Sequence, residues 1–184
     1  MVDFECRALY GSPEEEAASA ELVVSCIVRA QPNVVTEPKL FLDLFCGNGL
    51  FLQRINTLMP QWDLHAIDRD QNILAQVTRN CPQAKLTHAC CPPIAYPDNF
   101  FDLVCTKKIM DYADIRYLRQ PARQQVFGDS FHLEGLVTEI SRILKPGGMY
   151  YVFDNLREPE HTILKQANLH CVTEDYLWKV TSII

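Results

Sequence analysis

The chain has 184 residues, 48% of them hydrophobic and 22% charged, with 23 acidic and 17 basic side chains and a formal net charge of -6. That length fits one domain able to bury a core without disulfides or metal, and the composition excludes disordered, collagen-like and coiled-coil classes. The acidic balance removes the overall basic footprint of non-specific nucleic-acid binding, so no nucleic-acid partner is expected.

The N-terminus, MVDFECRALYGSPEEE, is acidic and lacks the layout of a signal peptide. Pro13 and Glu14 to Glu16 open a helix, with Leu22, Val23, Cys26, Ile27 and Ala30 at helical spacing and Gln31-Pro32-Asn33 as its stop. Lys39 to Phe45 is a short apolar run ended by glycines, a buried strand. Leu50 to Met59 reads as a helix closed by Pro60, Asp63 to Ile67 as a second strand, and Gln71 to Cys81 as a helix with Ile73, Leu74 and Val77 inward. Lys85 to Ala89 and Phe100 to Thr106 are a third and a fourth strand.

Asp129 or Ser130 is placed to cap a further helix, in which Leu133, Leu136, Val137, Ile140 and Leu144 form one apolar face. Lys145-Pro146-Gly147-Gly148 stops it, and Met149 to Asp154 is a fifth strand. Glu158 to Asn168 is a last helix, and the alternating tail after it reads as two strands around Glu174-Asp175. Alternating strands and helices predict an α/β fold of three layers. The sheet has seven mostly parallel strands, the last one antiparallel.

None of the eight cysteines forms a C-x-x-C pair, and several sit inside apolar runs, so a reduced, cytoplasmic compartment is expected. His88, Cys90 and Cys91 lack a second ligand pair at zinc spacing, so no metal is expected. No run reaches the roughly 18 apolar residues of a membrane span, so no membrane partner is expected.

Chemistry concentrates after the first strand. Asp43-Leu44-Phe45-Cys46-Gly47-Asn48-Gly49 runs directly into a helix, and Asp68 stands at the end of the second strand. Glycines one apart let backbone approach a ligand, and an acid at the next strand end suits a ribose diol. Leu52 occupies the third-glycine position of a dinucleotide fingerprint, and Leu50 the lysine position of a P-loop. Adenosine without a pyrophosphate remains, and Asp43 suits an ammonium group where a phosphate would be repelled.

On these residues the chain resembles the class I S-adenosylmethionine-dependent methyltransferases, of Rossmann-like fold. LDLFCGNG is similar to their first motif, AID to the acidic second-strand motif, YPDNFFDLV to the approach to the fourth strand and ISRILKPGG to the approach to the fifth. The match runs from Phe41 to near the end. The resemblance implies S-adenosylmethionine as cofactor and S-adenosylhomocysteine as product. It implies that Asp43 and the backbone from Cys46 to Gly49 cradle the methionine part, with Phe45 in place of a commoner first glycine. It implies Asp68 as the ribose ligand and Arg69 beside the adenine. An acid often touches the adenine in this family. Here Cys90 stands in its place, and Ala89, Cys91 and Thr106 complete the expected cofactor wall. Asp102 is expected to be structural.

Cys91-Pro92-Pro93-Ile94-Ala95-Tyr96 is misplaced for the motif of amino-methylating nucleic-acid enzymes, and it lacks their amide or acid. The stretch from Lys107 to Phe127 carries Lys107, Lys108, Arg116, Arg119 and Arg123 against Asp111 and Asp114. It reads either as a lid recognising an anion, with Lys107, Arg116 and Arg119 as substrate contacts, or as a solvated helix. Asp111 and Tyr112 are the candidates for contacts at the transferring methyl. The expected domain is single, residues 1–184, with a helical cap over 1–38 and a cofactor core over 39–184. The expected partner is a small-molecule acceptor. The alternatives are a protein lysine or terminal amine, and a catalytically silent binding module.

Overall fold

The structure, a computed structural model, describes residues 11–107, 133–153, 158–172 and 177–180. Contacts divide the chain into two compact units, 1–88 and 89–184.

The first unit opens with α1 (Pro13–Ala30). Ser12 and Glu15 form a capping box, Pro13 occupies the first turn, and Glu14, Glu15 and Glu16 face the positive end of the helix dipole. Glu14 is held below the usual glutamate range by its backbone hydrogen bond and the Ser12 hydroxyl. Ala20, Val23, Val24, Cys26 and Ile27 are buried, and Glu21 pairs with Arg54 of α2 (Leu50–Leu58).

The expected stop at Gln31-Pro32-Asn33 is a short 3-10 turn, Pro32–Val35. Gln61 Nε2 donates to the Val35 carbonyl at 2.8 Å and Trp62 Nε1 to that of Val34 at 3.3 Å, so the turn is fastened to the chain entering the second strand. Trp62 also stacks on Phe41, with centroids 5.6 Å apart.

Strand β1 (Leu40–Leu44) pairs in parallel with β2 (Asp63–Asp68), and β2 with β3 (Lys85–His88), giving the order β3-β2-β1. Helix α3 (Gln71–Asn80) follows β2, capped by the Asp70 carboxylate, which accepts from the Asn72 N–H at 2.8 Å. Phe41, Leu42, Leu44, Phe51, Leu52 and Ile55 are fully or almost fully buried and form the core of this unit.

The second unit holds β4 (Phe101–Lys107), α4 (Leu133–Ile143), β5 (Leu144–Phe153), α5 (Glu158–Gln166), β6 (Leu169–Cys171) and β7 (Leu177–Val180), with strand order β4-β5-β7-β6. Strands β4 and β5 are parallel, and β7 runs antiparallel to both β5 and β6, as the tail pattern implied.

Strand β5 begins at Leu144, five residues before the expected start at Met149. Leu144 pairs with Phe101 and Met149 with Leu103, so Lys145 to Gly148 bulges out of register between them. Gly147, in the K-P-G-G sequence, is left-handed (φ 77°) inside the strand. Lys145 Nζ reaches Asp102 Oδ2 at 2.8 Å across this bulge.

The segment before β4 is sewn to the end of α4 by one side chain. Arg142 donates from Nη1 to the Tyr96 carbonyl (2.9 Å) and Asp98 Oδ1 (2.7 Å), and from Nη2 to the Ile94 carbonyl (2.9 Å). Its Nε and Nη2 also hold Glu139, whose Oε2 accepts from the Ile94 N–H at 2.9 Å. Tyr96, Phe100 and Phe101 close an aromatic cluster there, with centroids 4.8–5.4 Å apart.

Replacing Arg142 by Met is expected to lower unfolding stability by about 1–3 kcal/mol in urea titration, because the part-buried Tyr96 and Ile94 carbonyls and Glu139 each lose the guanidinium as a donor. Bonding to Arg142 also holds Glu139 below its ordinary 4.5. Its stabilising contribution is complete above that value and is lost as the pH falls below 4.5 through the depressed folded value. The acid limb of the stability curve measured with Glu139→Gln should therefore be flatter than that of the parent.

Candidate functional site

Strands β1 and β2 are parallel, so their carboxyl ends lie at one edge of the first unit. There the chain leaves β1 in an unusual path. The N–H groups of Phe45 and Cys46 both donate to the Ile67 carbonyl, at 2.9 and 3.1 Å. Phe45 is left-handed (φ 64°), as are Gly47 (φ 56°) and Gly49 (φ 80°). The non-glycine residue in that region costs about 1–2 kcal/mol, so the turn keeps the backbone shape of a glycine where the sequence has a half-buried phenylalanine.

Gly49 is also sterically required. A Cβ on it would stand 2.9 Å from Val77 Cα and 3.0 Å from Val77 Cγ1 in α3. The Asn48 carboxamide oxygen accepts from the Leu50 N–H at 3.2 Å, bridging the loop to the start of α2.

Asp43 is fully buried in β1. The Cys81 thiol, past the end of α3, is pushed above its usual value first by burial and further by the Asp43 charge. Asp68 ends β2. Its Oδ1 accepts from the Asp70 N–H at 3.0 Å and its Oδ2 from the Gly47 N–H at 3.4 Å. Burial nevertheless raises its carboxyl above the ordinary 3.8, outweighing the backbone N–H groups that favour the charge. Arg69 is exposed, and its carbonyl accepts from His88 Nε2 at 2.8 Å.

The structure thus brings together Asp43, Phe45, Cys46, Gly47, Asn48, Gly49, Asp68 and Arg69 at one strand edge. Ala89, Cys90, Cys91, Thr106 and Lys107 belong to the second unit. Cys90 is exposed and Cys91 buried. Thr106 is buried with its hydroxyl 2.7 Å from the Tyr150 hydroxyl, so that side chain is already engaged, and Lys107 ends β4 half-buried. Asp111, Tyr112, Arg116 and Arg119 lie outside the described residues. Sequence reasoning missed Asn80, whose Nδ2 donates to the Asn48 carbonyl at 2.8 Å. Only its position at the end of α3 signalled it. Among the described residues no His, Cys, Asp or Glu group is placed to hold a metal, and no helix is long and apolar enough to cross a membrane.

The methyltransferase domain model matches residues 42–152. The chain belongs to the class I S-adenosylmethionine-dependent methyltransferase family. It is 25% identical over 145 residues to the trans-aconitate 2-methyltransferase of Acidovorax sp. (strain JS42), covering 76% of this chain and 48% of that one, and matches the enzyme of Acidovorax ebreus (strain TPSY) equally. The chain spans about half the length of the curated relatives it matches.

A SAM dependent methyltransferase from Aquifex aeolicus aligns with a TM-score of 0.64 at 16% identity, over 96% of this chain and 95% of that one. SAM-bound CalS10, an amino pentose methyltransferase from Micromonospora echinaspora, aligns with a TM-score of 0.54 at 22% identity, over 83% and 55%. These likenesses show the Rossmann-like fold that the motifs implied.

Gly49→Ala is expected to cost about 2 kcal/mol or more in equilibrium unfolding. The added methyl meets both a left-handed backbone and the main chain of α3, and no side chain can swing aside to admit it.

Proposed function

We propose that this chain transfers a methyl group from S-adenosylmethionine to a small-molecule acceptor. The observation that carries the cofactor reading is the β1–β2 edge, where a left-handed backbone turn free of side chains at Gly47 and Gly49 faces a part-buried carboxylate at Asp68. The Asp68 carboxylate accepts backbone N–H groups, those of Gly47 and Asp70 among them, and its two oxygens have about four lone-pair sites, which leaves capacity for a ribose hydroxyl. The residues present therefore fit an adenosine-bearing ligand. In this reading Asp68 holds the ribose and Arg69 flanks the adenine. The backbone from Cys46 to Gly49 receives the amino-acid tail, and buried Asp43 supplies negative potential for its ammonium. Phe45, Ala89, Cys90, Cys91 and Thr106 remain cofactor-wall assignments.

When bound, the cofactor's sulfonium supplies an electrophilic methyl carbon, so the protein's task is alignment and exclusion of water. The acceptor reading is supported by the relatives named for small molecules, trans-aconitate and an amino pentose. The basic sequence run containing Lys107, Arg116 and Arg119 suits a carboxylate-bearing acceptor. Asp111 and Tyr112 are assigned to the methyl-transfer centre on the same sequence grounds. A single domain, with residues 1–38 as cap and 39–184 as core, belongs to the same proposal.

Calorimetric titration with S-adenosylhomocysteine tests the reading. Asp43→Ala should abolish binding and Asp68→Ala weaken it by about 1–3 kcal/mol. The affinity should fall as the pH drops from neutral toward 3.8, because protonation of Asp68 begins above that value. Asp68→Asn should remove this dependence. No binding at millimolar ligand rejects the cofactor reading and favours a silent module. With methyl-labelled cofactor and lysate, an enzyme-dependent labelled small molecule other than the cofactor supports the acceptor class. Label confined to protein rejects it.

A further inference from the structure

We propose that Asn80 is a positioning residue for the amino-acid end of the cofactor. This inference rests on the cofactor reading above and adds a residue to it.

Asn80 is the last residue of α3 and is half-buried. Its Nδ2 donates to the Asn48 carbonyl at 2.8 Å. A carbonyl only accepts, so the chemistry determines which end of the carboxamide faces it. The bond spans 32 residues of sequence and ties helix to loop. In a planar trans peptide the carbonyl and the following N–H point in opposite directions. Holding the Asn48 oxygen toward α3 therefore turns the Gly49 N–H away from α3.

A further contact shows that this end of α3 is built against the loop. Val77 leaves no room for a side chain on Gly49. The same helix end thus supports the glycine and the peptide between Asn48 and Gly49. A backbone N–H aimed out of such a turn suits a carboxylate. Of the ligand's parts, the amino-acid tail alone carries one.

The test separates the tail from the nucleoside. S-adenosylhomocysteine and 5′-methylthioadenosine share adenosine and a thioether, but only the first has the tail. Asn80→Asp keeps the size of the side chain and removes the donor. The affinity for S-adenosylhomocysteine should fall about fivefold to tenfold, the worth of one hydrogen bond, while that for 5′-methylthioadenosine stays unchanged. Asn80→Ser, too short to span the gap, should show the same split.

Equal losses for both ligands, or no loss for either, overturn the inference and leave the cofactor reading standing. Unfolding of both variants assigns Asn80 to the fold alone and overturns it too. If the parent protein binds neither ligand, the cofactor reading fails and this inference goes with it.

Discussion

The carbonyl oxygen of Ile67 accepts from two successive backbone N–H groups, those of Phe45 and Cys46. This shared acceptor bends the chain as it leaves β1, because two adjacent N–H groups reach one oxygen only if the backbone folds sharply between them. The left-handed conformation of Phe45 belongs to that bend, and Gly47 and Gly49 continue the turn with left-handed angles of their own. Strand β2 therefore does more than flank β1. It supplies the anchor of the turn at Ile67 and, one residue later, the carboxylate that meets the Gly47 N–H. Sheet pairing and site geometry are one construction.

The second unit is organised by charge rather than by a turn. Arg142 gathers three acceptors from the segment before β4, and Glu139 returns one of the bonds by accepting the Ile94 N–H. A guanidinium suits this task because its donors lie in a rigid planar fork. The backbone adds the Asn99 and Phe100 N–H groups, which donate to the Arg142 and Ile143 carbonyls at the end of α4. The irregular approach to β4 thereby pairs these polar groups without forming a strand.

The elements were legible because their boundaries carry local chemistry. Ser12-Pro13 with its acidic turn, Asp70 before α3, and the short apolar runs of β1 and β2 each report their own structure. The glycine-containing loop was legible for the same reason. What escaped is non-local. The start of β5 at Leu144 depends on a pairing with Phe101, and nothing within Lys145 to Gly148 announces that a strand continues across it. Phe45 carries no residue-type signal for its backbone angle, which Ile67 imposes from another strand. Asn80 looked like an ordinary helix end, and the bond to Asn48 depends on how α3 packs.

Two of the bonds that shape the loop reach far along the chain. Gly47 and Asp68 are 21 residues apart, and Asn48 and Asn80 are 32. Closing such distances costs chain entropy before any contact returns it. The turn after β1 therefore gains these bonds only when β2 and α3 are in place, so its full set of partners is a product of the sheet. A fragment ending before β2 would keep every residue of the glycine loop and lack its partners at Ile67, Asp68 and Asn80.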